Sequence, residues 1–303
     1  IFLYNFFASF LRAIGNSVIP LAFLAVSSVL NIVLDLWFVV GLNKAVAGAA
    51  QATVIAQYIS GVGIAVYTWV RFPQVRSVAR PRTLRKQRIR EIFSYSSLTC
   101  IQQSVMNLGI LMVQGLVNSF GPVVMAAFAA AVKIDAFAYM PVQDFGNAFS
   151  TFIAQNYGAK QNDRIRSGLK SAVLISVAFC VVLSTLVCAF AKPLMLLFVD
   201  AGETEILREG VRYLHIEGSF YCGIGCLFLL YGLYRALGKP GMSVVLTVIS
   251  LGTRVALAYL LSSLPSIGVT GIWWSVPIGW ALADFVGFVY YKKKINLYDG
   301  SQP

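Results

Sequence analysis

Long apolar runs alternate with short polar ones along the whole chain. Crossing the hydrocarbon core as a helix takes about 20 apolar residues. Runs of that length cover 17–42, 46–70, 92–118, 122–156, 169–190, 209–234, 241–262 and 268–291, and a partial run covers 1–11. Apolar positions inside them follow helical rather than alternating spacing, which argues against a barrel. The pattern predicts eight full spans and one partial span. The run 122–156 is too long for one straight crossing, so part of it should tilt, break or project. Apolar residues make up 58% of the 303, charged residues 12%, and mean hydropathy is +0.75, far from the balance of a soluble domain. The fold class read from this is an all-α polytopic membrane protein.

Two stretches of the chain repeat each other 223 positions apart. Residues 12–71 open on Arg12-Ala13-Ile14-Gly15, and residues 235–294 open on Arg235-Ala236-Leu237-Gly238. Ser27/Ser250, Leu34/Leu257, Val46/Val269, Gly48/Gly271, Ile55/Ile278 and Tyr67/Tyr290 hold the register without a gap. Each copy has two spans, so both run in the same sense. Such a parallel repeat predicts two pseudo-symmetric lobes related by an axis along the membrane normal. Three spans starting near Glu91 precede the second copy, so three are expected before the first. That expectation places about 130 further residues ahead of Ile1 and twelve spans in all, in two six-helix lobes. The first three helices would then be absent from this chain.

The net charge of +12 is concentrated in few loops. Arg71, Arg76, Arg80, Arg82, Arg85, Lys86, Arg88 and Arg90 crowd one connection. Lys160, Arg164, Arg166 and Lys170 occupy another, Arg235 and Lys239 a third, and Lys292-Lys293-Lys294 follow the last span. All four clusters fall on the same side when helices are counted. This positive-inside pattern makes them cytoplasmic, together with the tail 295–303, and replaces a nucleic-acid reading of the basic run. The arginines of the loop are expected near anionic headgroups.

Ionisable groups within spans cost about 2.5–3.5 kcal/mol each at mid-bilayer and need partners. They are Asp35, Lys133, Asp135, Asp144, Glu217, Arg254 and Asp284. A carboxylate in a low-dielectric cavity can take a proton from one side and release it to the other, or hold Na⁺ with nearby carbonyls. Glu217 is the leading candidate for ion coupling, with Asp135, Asp144 and Asp35 beside it. Asp35 also reads as a structural hydrogen-bonding group, and Asp144 and Asp284 as ion-paired struts. Arg254 stands where the other copy has Asn31, so the repeat is asymmetric there and the arginine can neutralise a second-lobe carboxylate. His215 reads as an interfacial residue rather than a relay. Gln103, Asn107 and Gln114 share a helix face suited to hydrogen bonding, and with Lys133, Tyr139, Tyr221 and Arg254 they are the candidates for a substrate cavity. Cys222 and Cys226 are one turn apart, yet a single histidine and no second cysteine pair favour packing over a metal site. No cofactor and no metal are expected. The lack of clustered ligands or a nucleophile–base pair argues against an enzyme.

The motifs Leu11-Arg12-Ala13-Ile14-Gly15-Asn16, Asn31-Ile32-Val33-Leu34-Asp35 and Gly48-Ala49-Ala50-Gln51-Ala52-Thr53 resemble the first lobe of MATE (multidrug and toxic compound extrusion) transporters. In the second lobe Ile153-Ala154-Gln155-Asn156-Tyr157-Gly158-Ala159 and Tyr234-Arg235-Ala236-Leu237-Gly238-Lys239-Pro240 agree. The resemblance implies that 1–72 is the remainder of the N-terminal lobe (helices 4–6 of the family), 73–91 a basic linker, and 92–294 the C-terminal lobe (helices 7–12). It also implies a V-shaped pair of bundles in the plasma membrane. Such a protein would export organic, cationic or amphipathic compounds in exchange for H⁺ or Na⁺ and act as a monomer. Some members carry an acid in the first helix of the second lobe, where this chain has Gln102, Gln103, Asn107 and Gln114. The alternative is a flippase for a lipid-linked oligosaccharide, which needs a cluster of cations for pyrophosphate. Lys133 and Arg254 alone do not make one.

Overall fold

In a computed structural model, residues 1–72 and 86–294 are described; much of the basic run, from 73 to 85, and the tail after 294 lie outside them. The described residues are helical, with no strand among them. Among the described residues seven helices are long and apolar enough to cross a membrane, and a bent pair makes an eighth span. The chain divides between Ile89 and Arg90 into two compact units.

The first unit holds α1 (Phe2–Ala13), α2 (Val18–Asp35) and α3 (Ala45–Arg71), with a π-helical turn Leu36–Gly41 extending α2. Ala8, Leu11 and Ile64 form its buried core, with Tyr4, Phe7 and Phe23 packed around them. Pro20 lies in the first turn of α2, where its missing N–H costs nothing. Polar side chains close on backbone carbonyls across the helices: Tyr4 Oη donates to Pro20 O (2.8 Å) and Ser27 Oγ to Ala56 O (3.0 Å). In a membrane such bonds replace those that water would have made.

The second unit begins within α4 (Lys86–Asn118), which reaches back into the expected linker. It continues with α5 (Pro122–Gly158), α6 (Asn162–Ala189), the short α7 (Ala191–Met195), α8 (Thr204–Gly218), α9 (Tyr221–Ala236), α10 (Pro240–Ser262) and α11 (Val269–Lys294). Helix α9 is its axis, buried from Leu227 through Tyr234 and packed on α5, α6, α10 and α11. Glycines set the closest approach. A side-chain carbon at Gly232 would come within 2.5 Å of Gly146 O, and one at Gly146 within 2.9 Å of Phe228 O.

One expectation is met and one changes. The 122–156 run does not break: α5 is one 37-residue helix with Pro141 inside it, about 55 Å long, so an end projects beyond an apolar core of about 30 Å. The 209–234 run does break. Helices α8 and α9 meet at an angle of 51° across Ser219 and Phe220. There Phe220 N–H turns back to Glu217 O (3.0 Å), Gly223 N–H to Phe220 O (2.8 Å), and Ser219 Oγ donates to His215 O (2.6 Å). These local bonds satisfy carbonyls that a continuous helix would have used.

The duplication holds in three dimensions. At the head of each copy a left-handed glycine ends a helix, Gly15 (φ 88°) and Gly238 (φ 73°). Asn16 N–H reaches Leu11 O (2.9 Å) as Lys239 N–H reaches Tyr234 O (2.8 Å), a six-residue closure that satisfies the helix end. Further on, Gly48 is pressed against Phe38 and Lys44, and Gly271 against Leu261 and Ile267. Each of those neighbours stands 223 positions from its counterpart. The two copies therefore pack as well as read alike.

Candidate functional site

Asp135 lies in α5, 4% exposed, in a region that is otherwise the apolar core of the second unit. Two tyrosines hold its carboxyl group. Tyr213 Oη of α8 donates to Oδ2 (2.6 Å), and Tyr221 Oη, from the first residue of α9, donates to Oδ1. Both halves of the broken helix are thus tied to one acceptor. Glu217, one turn after Tyr213 and 6% exposed, stands close enough for its carboxyl to interact directly with that of Asp135. Its Oε2 has no hydrogen-bond partner. The break makes this geometry, because it turns the chain between Glu217 and Tyr221 while keeping both near α5.

Among the described residues one cation faces the pair. The charge of Arg254, half-buried on α10, reaches Asp135, Glu217 and Tyr213, and its Nε is unpartnered. The repeat explains why that side chain is available. In the first copy Asn31 Nδ2 donates to Thr53 Oγ1 (3.4 Å), whereas the counterpart of Thr53 is the buried Val276. The second copy gains a cation and loses the polar partner beside it.

Toward the far end of α8 an aromatic trio seals the group. Phe128 and Trp273 stack at 5.6 Å, and Tyr213 meets Trp273 edge-on at 4.9 Å and Phe128 at 5.7 Å. Trp273 Nε1 donates to Glu209 Oε1 (2.8 Å). His215 is engaged elsewhere, its Nε2–H donating to Cys188 O (3.0 Å).

Of the residues singled out in the sequence, the structure brings together Asp135, Glu217, Tyr221 and Arg254. It does not bring Asp144, Gln103, Asn107, Gln114 or Lys133 to them. All five are exposed on the second unit, Lys133 with its ammonium over the Phe198 ring (5.6 Å). The buried amide on α4 is Gln102, one position from the face expected. Tyr139 packs half-buried against the core. Asp35 ends α2 in the first unit, half-buried, with Oδ1 free of hydrogen bonds. Sequence reasoning missed Tyr213, Glu209, Phe128 as a site residue, and Trp273. The signal for Tyr213 was present: Tyr213, Glu217 and Tyr221 recur at four-residue steps, the spacing that lines one helix face. Among the described residues no three His, Cys, Asp or Glu side chains are placed to hold a metal ion.

Comparison with known proteins agrees with this architecture. The chain is 29% identical to the probable multidrug resistance protein YpnP of Bacillus subtilis over 96% of its length, and 26% identical over 97% to YoeA of the same organism. It spans only 64% and 66% of those relatives. A crystal structure of the Vibrio cholerae MATE transporter VcmN superposes with a TM-score of 0.85 at 25% identity, covering 97% of this chain and 67% of that one. Residues 98–260 match the MatE family, a family of transporters rather than enzymes. With more than half its length in that match, the chain belongs to the MatE family.

Proposed function

We propose that the protein is a secondary active transporter. It exports organic, cationic or amphipathic compounds across the plasma membrane in exchange for protons, by alternating access of two six-helix lobes, with the C-terminus cytoplasmic. One observation carries this reading: a buried carboxyl pair, Asp135 and Glu217, at the break of a spanning helix, faced by a single arginine. With both carboxyls ionised and Arg254 charged, the site holds a net charge of −1, and one bound proton brings it to zero. A proton and a monovalent organic cation then satisfy the same deficit, so arrival of one favours release of the other. The two tyrosine donors and the nearby guanidinium favour a proton over Na⁺, which needs a shell of oxygen ligands.

Protonation also has a mechanical consequence. Bonds from Tyr213 and Tyr221 to an ionised carboxylate contribute about 1.5–3 kcal/mol each, against about 0.5–1.5 kcal/mol to a neutral one. Neutralising Asp135 therefore loosens both halves of the broken helix from α5, and the junction at Gly218–Phe220 is where a change of angle is absorbed. The flippase reading asks for cations clustered within the spans; Lys133 is exposed and Arg254 faces the carboxyl pair, so these two do not form such a cluster.

The test is efflux of a fluorescent organic cation from everted vesicles under an imposed proton or Na⁺ gradient, with Glu217→Gln and Asp135→Asn alongside. Proton-driven transport lost in either variant is expected. Transport driven only by Na⁺, or untouched by both substitutions, would overturn the assignment.

A further inference from the structure

Asp284 of α11 belongs to no part of the site above. It is 9% exposed, its Oδ1 has no hydrogen-bond partner, and its Oδ2 lies 3.9 Å from where a side chain on Gly223 would begin. A carboxyl left in such a place is costly as an anion unless something neutral or positive completes it.

The cations of the surrounding helices are engaged elsewhere: Arg235 of α9 donates to Asn147 Oδ1 (2.9 Å), Arg212 of α8 pairs with Glu209 (3.4 Å), and Arg208 of α8 is exposed. From α9 the titratable groups that feel Asp284 are Cys226 and Tyr231. Arg254 is the only cation of α10. It is packed opposite Gly279, more than a turn away along α11, and its charge serves Asp135 and Glu217. On α8, Glu217 and Tyr213 belong to the carboxyl pair, Glu209 is bonded to Trp273 at the other end of α11, and His215 to Cys188. Along α11 itself the next charges, Lys292 and Lys293, stand two turns further on. Among the described residues Asp284 forms no ion pair.

Packing does not explain the residue either. Its counterpart in the first copy, 223 positions back, is Gly61, which lies against the backbone nitrogen of Tyr4 and the side chain of Leu3. The counterparts of Leu3 and Tyr4 are Cys226 and Leu227, on the helix that Asp284 faces. The duplicated scaffold thus fills this position without any side chain in one copy and with a carboxyl group in the other. Asp35 shows the reverse exchange, its counterpart being the fully buried Ala258.

We infer that Asp284 is a second proton-binding site in the C-terminal unit, separate from the Asp135–Glu217 pair, loaded and unloaded as a neutral carboxylic acid. A proton fits better than a metal cation. Gly223, Cys226 and Tyr231 of α9 lie on its side of the packing, and among the described residues no three His, Cys, Asp or Glu side chains are placed to hold a metal ion. Proton binding here is independent of what the protein exports, so it can hold even if the export reading fails.

Infrared difference spectra of the purified full-length protein, recorded across a pH series, read the carbonyl stretch of protonated carboxyl groups directly. Wild type should show a titrating carboxylic-acid band that is missing in Asp284→Asn, present but displaced in Asp284→Glu, and retained in Glu217→Gln. Asp284→Gly, which restores the residue of the first copy, should fold and lack the band as well. The same band set in wild type and Asp284→Gly would overturn the proposal. So would an Asp284 band that does not change at any pH at which the protein stays folded.

Discussion

Gly232 provides the sharpest structural test of how the carboxyl site is held. Helices α5 and α9 run in parallel register: Asp135 precedes Gly146 by eleven residues, as Tyr221 precedes Gly232. A methyl group at Gly232 would sit 2.5 Å from Gly146 O, a backbone atom that cannot rotate away. Ordinary contact begins at about 3.4 Å, so the helices must part by roughly 0.9 Å. Overpacking of this kind costs about 1–3 kcal/mol, offset by about 0.5–1 kcal/mol from the better helix propensity of alanine. The net loss, about 0–2.5 kcal/mol, corresponds to a fall in Tm of up to about 10 °C for a unit of this size. The same displacement would stretch the Tyr221–Asp135 bond at the other end of the contact, so transport should fall more than stability does. Gly252→Ala is the control, because its added carbon meets nothing within 4 Å and only the propensity gain remains. Thermal unfolding of both variants in the same detergent decides the matter. Equal Tm values for Gly232→Ala and Gly252→Ala would refute the glycine contact as the element that sets the α5–α9 distance.

Other predictions follow from individual contacts. Tyr213→Phe removes one donor from Asp135 and should lower the proton-driven transport rate about 2–10-fold while leaving the protein folded, measured as initial rates in proteoliposomes. The double substitution Arg254→Asn with Val276→Thr rebuilds the polar pair of the first copy, so it should fold normally, shown by its unfolding curve, yet lose transport because the carboxyl pair loses its cation. His215→Gln should leave transport rates within about twofold, since the histidine bonds a backbone carbonyl rather than the carboxyl pair. Trp273→Phe should lower Tm by about 1–6 °C by removing the bond to Glu209.

Much of the fold was legible in the sequence because hydrocarbon is a demanding solvent. A helix that crosses it needs a long apolar run, so span positions followed from length alone, and the 223-residue duplication carried over to packing at Gly48 and Gly271. The break between α8 and α9 was hidden because apolar residues continue through Ser219 and Phe220, and only local carbonyl bonding marks the turn. Glu217, Asp135 and Arg254 stood out as costly charges. Their assembly did not, because it depends on that break. Tyr213 escaped notice because an aromatic residue in a span has many uses, and its hydroxyl acquires meaning only opposite Asp135. On α4 the amides at 103, 107 and 114 share a face, but spacing gives a face without saying which way it points; burial fell to Gln102.

The central claim is that substrate and proton compete for the Asp135–Glu217 pair, and it is tested most directly by proton release on binding. The purified full-length protein, weakly buffered with a pH indicator, is mixed with an organic cation, and the protons set free are counted for wild type and for the Asp135→Asn, Glu217→Gln double variant. Release from wild type, absent from the double variant, is the predicted result. No release from wild type, or equal release from both proteins, would contradict it.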